Sequence, residues 1–216
     1  MKNFSVKRIG IYIIGIVFVS LGIVLCKKCG MGISPISSIP YVLTYIVPLS
    51  FGVLTTLFHF INIILQMFLS KKWSDPKLWL QVPLAFAFGW AIDVFNKFIM
   101  IDNTKIIYQI LALLLSIFFT ALGMVCMLDM NLIQNPPDGT VRQISILIGK
   151  KLGTVKVGYD ITCVVISLMT GLIFLHSLTG FGLATVLSAI FVGKTINWIR
   201  SWMEKRNIRL ADIVRG

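Results

Sequence analysis

This sequence predicts an all-α membrane protein: a polytopic bundle of six transmembrane helices arranged as two inverted repeats of three. Each repeat carries a short Pro-broken re-entrant or interfacial helix. Three observations predict it. The 216 residues are 57% hydrophobic and 13% charged, with a mean hydropathy of +0.91, far more apolar than a soluble domain of ordinary composition. Six apolar runs recur, each close to the roughly 20 residues a helix needs to cross a bilayer. The second half of the chain also repeats the order of parts of the first.

In chain order the apolar runs fall at about 9–26, 51–69, 78–97, 106–128, 155–176 and 180–199. The first follows Lys2, Lys7 and Arg8 as a signal peptide would. Leu25, not a small residue, precedes Cys26, and the run has a counterpart later in the chain, so it is expected to stay as the first span. Segments 33–49 and 137–151 are different. Pro35, Pro40 and Pro48 interrupt the first, and Pro136, Pro137, Gly139 and Gly149 interrupt the second. Their uninterrupted helix is too short to span, and Arg142, Gln143, Lys150 and Lys151 alternate with Val141, Ile144 and Ile148 as in an interfacial helix.

The 20 basic residues outnumber 8 acidic ones, a formal charge of +12. They sit between runs that require lipid, so a nucleic-acid partner is not expected. Six spans with a cytoplasmic amino terminus place 16 Lys and Arg inside, leaving Lys27, Lys28, Lys97 and Lys105 outside. Counting both short segments as spans gives 14 inside and 6 outside, so the positive-inside rule favours six. Both termini are then cytoplasmic. Trp73, Trp79, Trp198 and Trp202 flank the inner interface, and the basic tail 201–216 can lie on anionic lipid.

An offset of 101 positions sets Gly22 on Gly123, Pro35 on Pro136, Ser37 on Asp138, Gly52 on Gly153, His59 on Asp160, Asn62 on Cys163 and Gln66 on Ser167. After a further three-residue shift Gly89 falls on Gly193 and Asp93 on Asn197. The halves are thus 1–100 and 101–200, each read as span, Pro-broken helix, span, span. Three spans per half is odd, so the second half must enter the membrane upside down, the architecture of many secondary transporters.

The stretch Gly30 to Pro35, the stretch Leu84 to Asp93 and the stretch Gly180 to Asn197 resemble the YczE/YyaS/YitT group of bacterial integral membrane proteins over essentially the whole chain. The resemblance implies a multi-pass protein of the bacterial inner (cell) membrane. It implies location and topology more than substrate.

Polar groups in hydrocarbon cost on the order of 1 to 3.5 kcal/mol at a helix centre and require partners or a wet cavity. Thr55, His59, Asn62 and Gln66 follow i, i+4, i+7, i+11 on the second span, and Lys156, Asp160, Cys163 and Ser167 form the equivalent stripe on the fifth. At 1.5 Å per residue from opposite surfaces, His59 and Asp160 differ in depth by only about 7 Å in a core roughly 30 Å thick. They are expected to face one cavity or to pair. The same groups could instead glue the spans together. Asp93 with Asn96, and Lys194 with Asn197, lie near span ends as further candidate contacts.

Ser37 and Asp138 are placed to cap the two Pro-broken helices, whose free N–H groups attract anions or polar ligands. Small residues at Gly15, Ser20 and Gly22, and at Ser116, Thr120 and Gly123, read as close helix contact. Cys26, Cys29, Cys126 and Cys163 form neither a disulfide framework nor a closed metal site, and no cofactor is called for. No nucleophile elbow, zinc-protease helix or phosphate loop appears, so an enzyme is not expected. The expected function is a transporter or permease for a small polar solute working by alternating access, with proton coupling through His59 or Asp160. The alternatives are a substrate-binding subunit that depends on a partner for energy, and a non-transport accessory or regulatory membrane protein.

Overall fold

The computed structural model describes residues 5–102 and 105–206, and every regular element in them is helical. The elements are α1 (Val6–Lys28), a 3-10 turn (Pro35–Ser37), α2 (Ser38–Leu43), α3 (Phe51–Ser70), α4 (Pro76–Trp79), α5 (Gln81–Phe98), α6 (Ile106–Met130), α7 (Pro136–Ile148), α8 (Leu152–Leu175) and α9 (Leu183–Lys205). Five segments are long and apolar enough to cross a membrane: Val6–Lys28, Phe51–Ser70, Pro76–Phe98, Ile106–Met130 and Leu152–Leu175. The protein is therefore multi-pass. At 23 residues α9 has comparable length, but Lys194, Asn197 and Arg200 dilute its apolar surface. It runs through Trp202 to Lys205, and the rest of the expected tail, 207–216, lies outside the described residues.

α1 and α6 form the central pair, and they run antiparallel: Gly15 lies against Gly123 and Met127, whereas Gly22 lies against Ser116 and Thr120. Glycines permit this approach because the backbone of one helix occupies the space a side chain would need on the other. A Cβ on Gly22 would stand 2.7 Å from the Thr120 nitrogen and 2.8 Å from the Ser116 carbonyl oxygen. The contact is reciprocal under the 101-residue offset. Gly22 meets Ser116 and Thr120, and its counterpart Gly123 meets Gly15 and Val19, which are the counterparts of Ser116 and Thr120.

The short helices are exchanged in the same way, α2 packing on α8 and α7 on α3. Ser38 donates its hydroxyl to the Cys163 carbonyl at 3.3 Å, and Thr140 donates to the Asn62 carbonyl at 3.1 Å. Ser167 donates to the Ser38 carbonyl at 3.1 Å, and Gln66 to the Pro136 carbonyl at 2.9 Å. Both short helices thus reach about halfway along the long helices they touch. For α7 this corrects a purely interfacial placement: Gly139, Thr140 and Val141 are buried, while Arg142 and the end of the helix from Ile146 are exposed. Its amphipathic pattern is split along the helix, with the buried part first.

Ser37 holds the N-cap position of α2 without a side-chain cap hydrogen bond, and Asp138 does not cap α7. Proline at the first helical position presets the helical φ, so the 3-10 turn starts at Pro35 with Ser34 as its N-cap and α7 starts at Pro136 with Asn135 as its N-cap. Ser37 closes the 3-10 turn and accepts from Ser34, while Asp138 sits in the first turn of α7 beside the Asn135 amide. Gly149, in the left-handed conformation at φ 65°, ends α7.

The two ends of the bundle differ. At the end carrying Lys27, the core cluster of Val24, Ile33, Phe51, Ile92, Leu113 and Ala184 fills the space between helices. Ile33 N–H donates to the Gly180 carbonyl at 3.1 Å and Ala184 N–H to the Met31 carbonyl at 2.9 Å, joining the loops of the two halves. At the opposite end Arg200 pairs with Asp129 at 2.9 Å, holding α9 on α6. Within the halves, α1 packs on α5 as α6 packs on α9, and α3 packs tightly on α5. Among the described residues no such interface joins α8 to α9.

Candidate functional site

One large cavity, about 370 Å³, occupies the place where an α8–α9 interface would be. Leu152, Lys156, Val157 and Asp160 form one wall, and Ser188, Ala189, Val192, Gly193 and Ile196 form the other. α1, the 3-10 turn, α2, α3, α5, α6, the loop that follows α6 and the start of α7 supply the remainder. Its volume falls in the range of small-molecule sites. It opens toward the end opposite Lys27, where the lining residues Leu128 and Leu152 are about half exposed, at 49% and 53%.

The charged groups gather on α7 and α8. Lys156 Nζ lies 3.0 Å from Asp160 Oδ1, one helical turn along α8, and 3.7 Å from Asp138 Oδ1 across on α7. These side chains are 18 to 31% exposed, so each charge is part-desolvated and offset by an opposite neighbour. Arg142, one turn beyond Asp138, lines the same cavity.

His59 lies deeper on α3. It is 4% exposed, its ring meets Phe88 edge-on at 5.5 Å between centroids, and its Nδ1 is buried with no hydrogen-bond partner. A buried imidazole nitrogen without a partner costs on the order of 1–3 kcal/mol, and His59 is one of the cavity's lining residues.

Of the sequence-predicted residues, His59, Asp160, Ser37 and Asp138 meet around this cavity, with Asp160 paired to Lys156 and not to His59. Asn62 and Gln66 do not line it. Asn62 accepts from the Tyr159 phenol at 2.7 Å and donates to the Phe58 carbonyl at 2.9 Å. Gln66 and Gln81 exchange two amide hydrogen bonds of 3.0 Å each. Both residues therefore spend their polar groups joining α3 to α5, α7 and α8.

Asp93 is likewise engaged elsewhere. Its carboxylate accepts from the Gly52 N–H at 2.8 Å and from the Ser50 hydroxyl, so a residue of α5 caps the start of α3. Asn96 accepts from Lys27 at 3.0 Å. Lys194 and Asn197 are exposed on the outer face of α9, with Lys194 over the Phe191 ring. Sequence reasoning missed Lys156 and Arg142 as site residues. The signal was present, since Lys156 heads the polar stripe of α8 and Arg142 follows Asp138 by one turn.

The four cysteines are free and buried. Outside the spans, the Cys29 thiol is lowered to about 7 by its hydrogen bond with Cys26. Among the described residues no group of His, Cys, Asp and Glu is arranged to hold a metal ion.

Comparison with known proteins gives one match: the model of a family of unknown function, DUF6198, covers residues 6–201. No curated protein and no solved structure matches.

Proposed function

The chain belongs to the DUF6198 family, and from that premise we propose a transporter or permease for a small solute, built as two inverted halves that give alternating access to the cavity beside His59 and Asp160. α9 is the sixth span in this reading, and both termini lie on the cytoplasmic side of the cell membrane. Kinship with the YczE/YyaS/YitT group belongs to the same reading.

One observation carries it. Three sets of contacts are reciprocal under the 101-residue offset, lengthened by three residues for α5 and α9: α1 with α6, α2 with α8 against α7 with α3, and α1 with α5 against α6 with α9. Such exchange is what a two-fold axis imposes on an interface, and the antiparallel crossing of α1 and α6 supports an axis lying in the membrane plane. The set that breaks the rule is α3 with α5 against α8 with α9. Gly52 and Gly89 touch backbone to backbone, while their counterparts Gly153 and Gly193 have nothing within 4 Å. The cavity fills the place of the missing contact. A sealed pair in one half and a parted pair in the other describe one of two states, and exchanging the roles of the halves describes the second.

Cysteines at Gly153 and Gly193, in a background lacking the four native cysteines, test this in membrane vesicles. The expected result is disulfide formation under oxidation despite the open separation here, with loss of uptake that reductant restores. If no oxidant or solute ever joins that pair, the two-state reading fails. Uptake by His59→Ala and Asp160→Asn variants tests the site itself, and cysteine labelling between Lys71 and Lys77 tests the orientation.

A further inference from the structure

We infer that the solute is amphipathic, with a zwitterionic head and an apolar body, and that it enters sideways between α8 and α9. This rests on the cavity being the solute chamber. The body follows from the walls: Val19, Ile23, Phe88, Met124, Val192 and Ile196 are among the lining residues, and most of the wall is apolar. A solute polar throughout would lose its water there and find few partners in exchange.

The head follows from the charges. The lining carries two acids, Asp138 and Asp160, and two bases, Lys156 paired with both of them and the exposed Arg142 on α7. A head of net charge would add an unmatched charge to a set balanced in number, of which Asp138, Lys156 and Asp160 are part-desolvated, and that is the costly arrangement in low dielectric. A head carrying both signs pairs with the set and keeps it balanced. The unpartnered Nδ1 of His59 adds one hydrogen-bonding position further in.

The sideways route follows from the gap. Val157 lines the cavity yet is 58% exposed, so the α8 wall is open on its flank as well as at its end. Gly153 on α8 and Gly193 on α9 each face open space, with nothing within 4 Å of where a Cβ would stand. In a bilayer the flank faces acyl chains, through which an amphipathic solute partitions and a fully polar one does not.

The test uses the whole protein in lipid nanodiscs, titrated below micelle-forming concentrations and read by the thermal unfolding midpoint. The probes are octyl-dimethylammonio-propanesulfonate, its tail-less trimethyl analogue, octanoate and octyltrimethylammonium. The expected result is a saturable rise for the octyl zwitterion, with the other three binding at least roughly tenfold more weakly, a difference of about 1.4 kcal/mol. Ala189→Trp, which fills the cavity from an exposed position on α9, should abolish the rise and leave the ligand-free midpoint in place. Equal binding of the tail-less head overturns the amphipathic inference and leaves the transport reading standing. Equal binding of octanoate or octyltrimethylammonium overturns the zwitterionic head. No saturable rise that Ala189→Trp removes, for any probe, overturns the chamber together with its proposed solute.

Discussion

Tyr159 of α8 donates its phenol to Asn62 Oδ1 of α3 at 2.7 Å, the short side-chain tie between the two helices that the offset makes counterparts. Asn62 is 2% exposed, so no water replaces that donor. Tyr159→Phe should cost about 1–3 kcal/mol, the penalty for a buried oxygen left unpaired. Thermal unfolding in detergent measures it, and an unchanged midpoint would show that the bond contributes nothing.

Gln66 and Gln81 form a closed amide pair, and its energetics are asymmetric. Gln66→Leu strands the buried Gln81 amide and should lower stability by roughly 1–3 kcal/mol. The double variant Gln66→Leu with Gln81→Leu should recover part of that loss, because both partners are then apolar. A double variant as unstable as the sum of the singles would contradict the pairing as described.

Gly52 and Gly153 occupy matching positions and should respond oppositely. A Cβ at Gly52 would lie 2.5 Å from the Asp93 carboxyl carbon and overlap the Gly89 carbonyl, so Gly52→Ala should cost about 1–3 kcal/mol through overpacking. Gly153 faces open space in a helix, where alanine should be neutral or add roughly 0.5–1 kcal/mol. Uptake should nevertheless fall in Gly153→Ala, since the second state requires that close approach. Full uptake would show that α8 and α9 never meet there.

His59→Leu should leave the unfolding midpoint unchanged or raise it, because it removes a buried nitrogen that has no partner. Solute binding should weaken in the same variant. A protein that is less stable yet binds normally would place His59 among the packing residues.

Asp93→Ala removes a cap contributed from a neighbouring helix. The N–H of Gly52 and the Ser50 hydroxyl lose their acceptor, at a cost of about 0.5–2 kcal/mol for a lost cap. Solute affinity should not change, since Asp93 is absent from the cavity wall. A loss of affinity would return it to the site.

The long helices were legible in the sequence because hydrocarbon satisfies no backbone group, so a crossing segment must be a long apolar run whose backbone groups are paired within helix. The runs at 51–69 and 106–128 fall within two residues of α3 and α6. The close contact of α1 with α6 was legible too, since Gly15, Gly22 and Gly123 mark where the backbones approach. The use of each polar group was not legible. Thr55, His59, Asn62 and Gln66 share one face of α3, and periodicity treats them alike. Tertiary packing sets Thr140 and Tyr159 against Asn62 and Gln81 against Gln66, and it leaves His59 at the cavity without a partner. The asymmetry between the halves was equally hidden. Matching patterns in the two halves specify which surfaces can pack, and only the assembled chain decides which pair is closed and which stands apart.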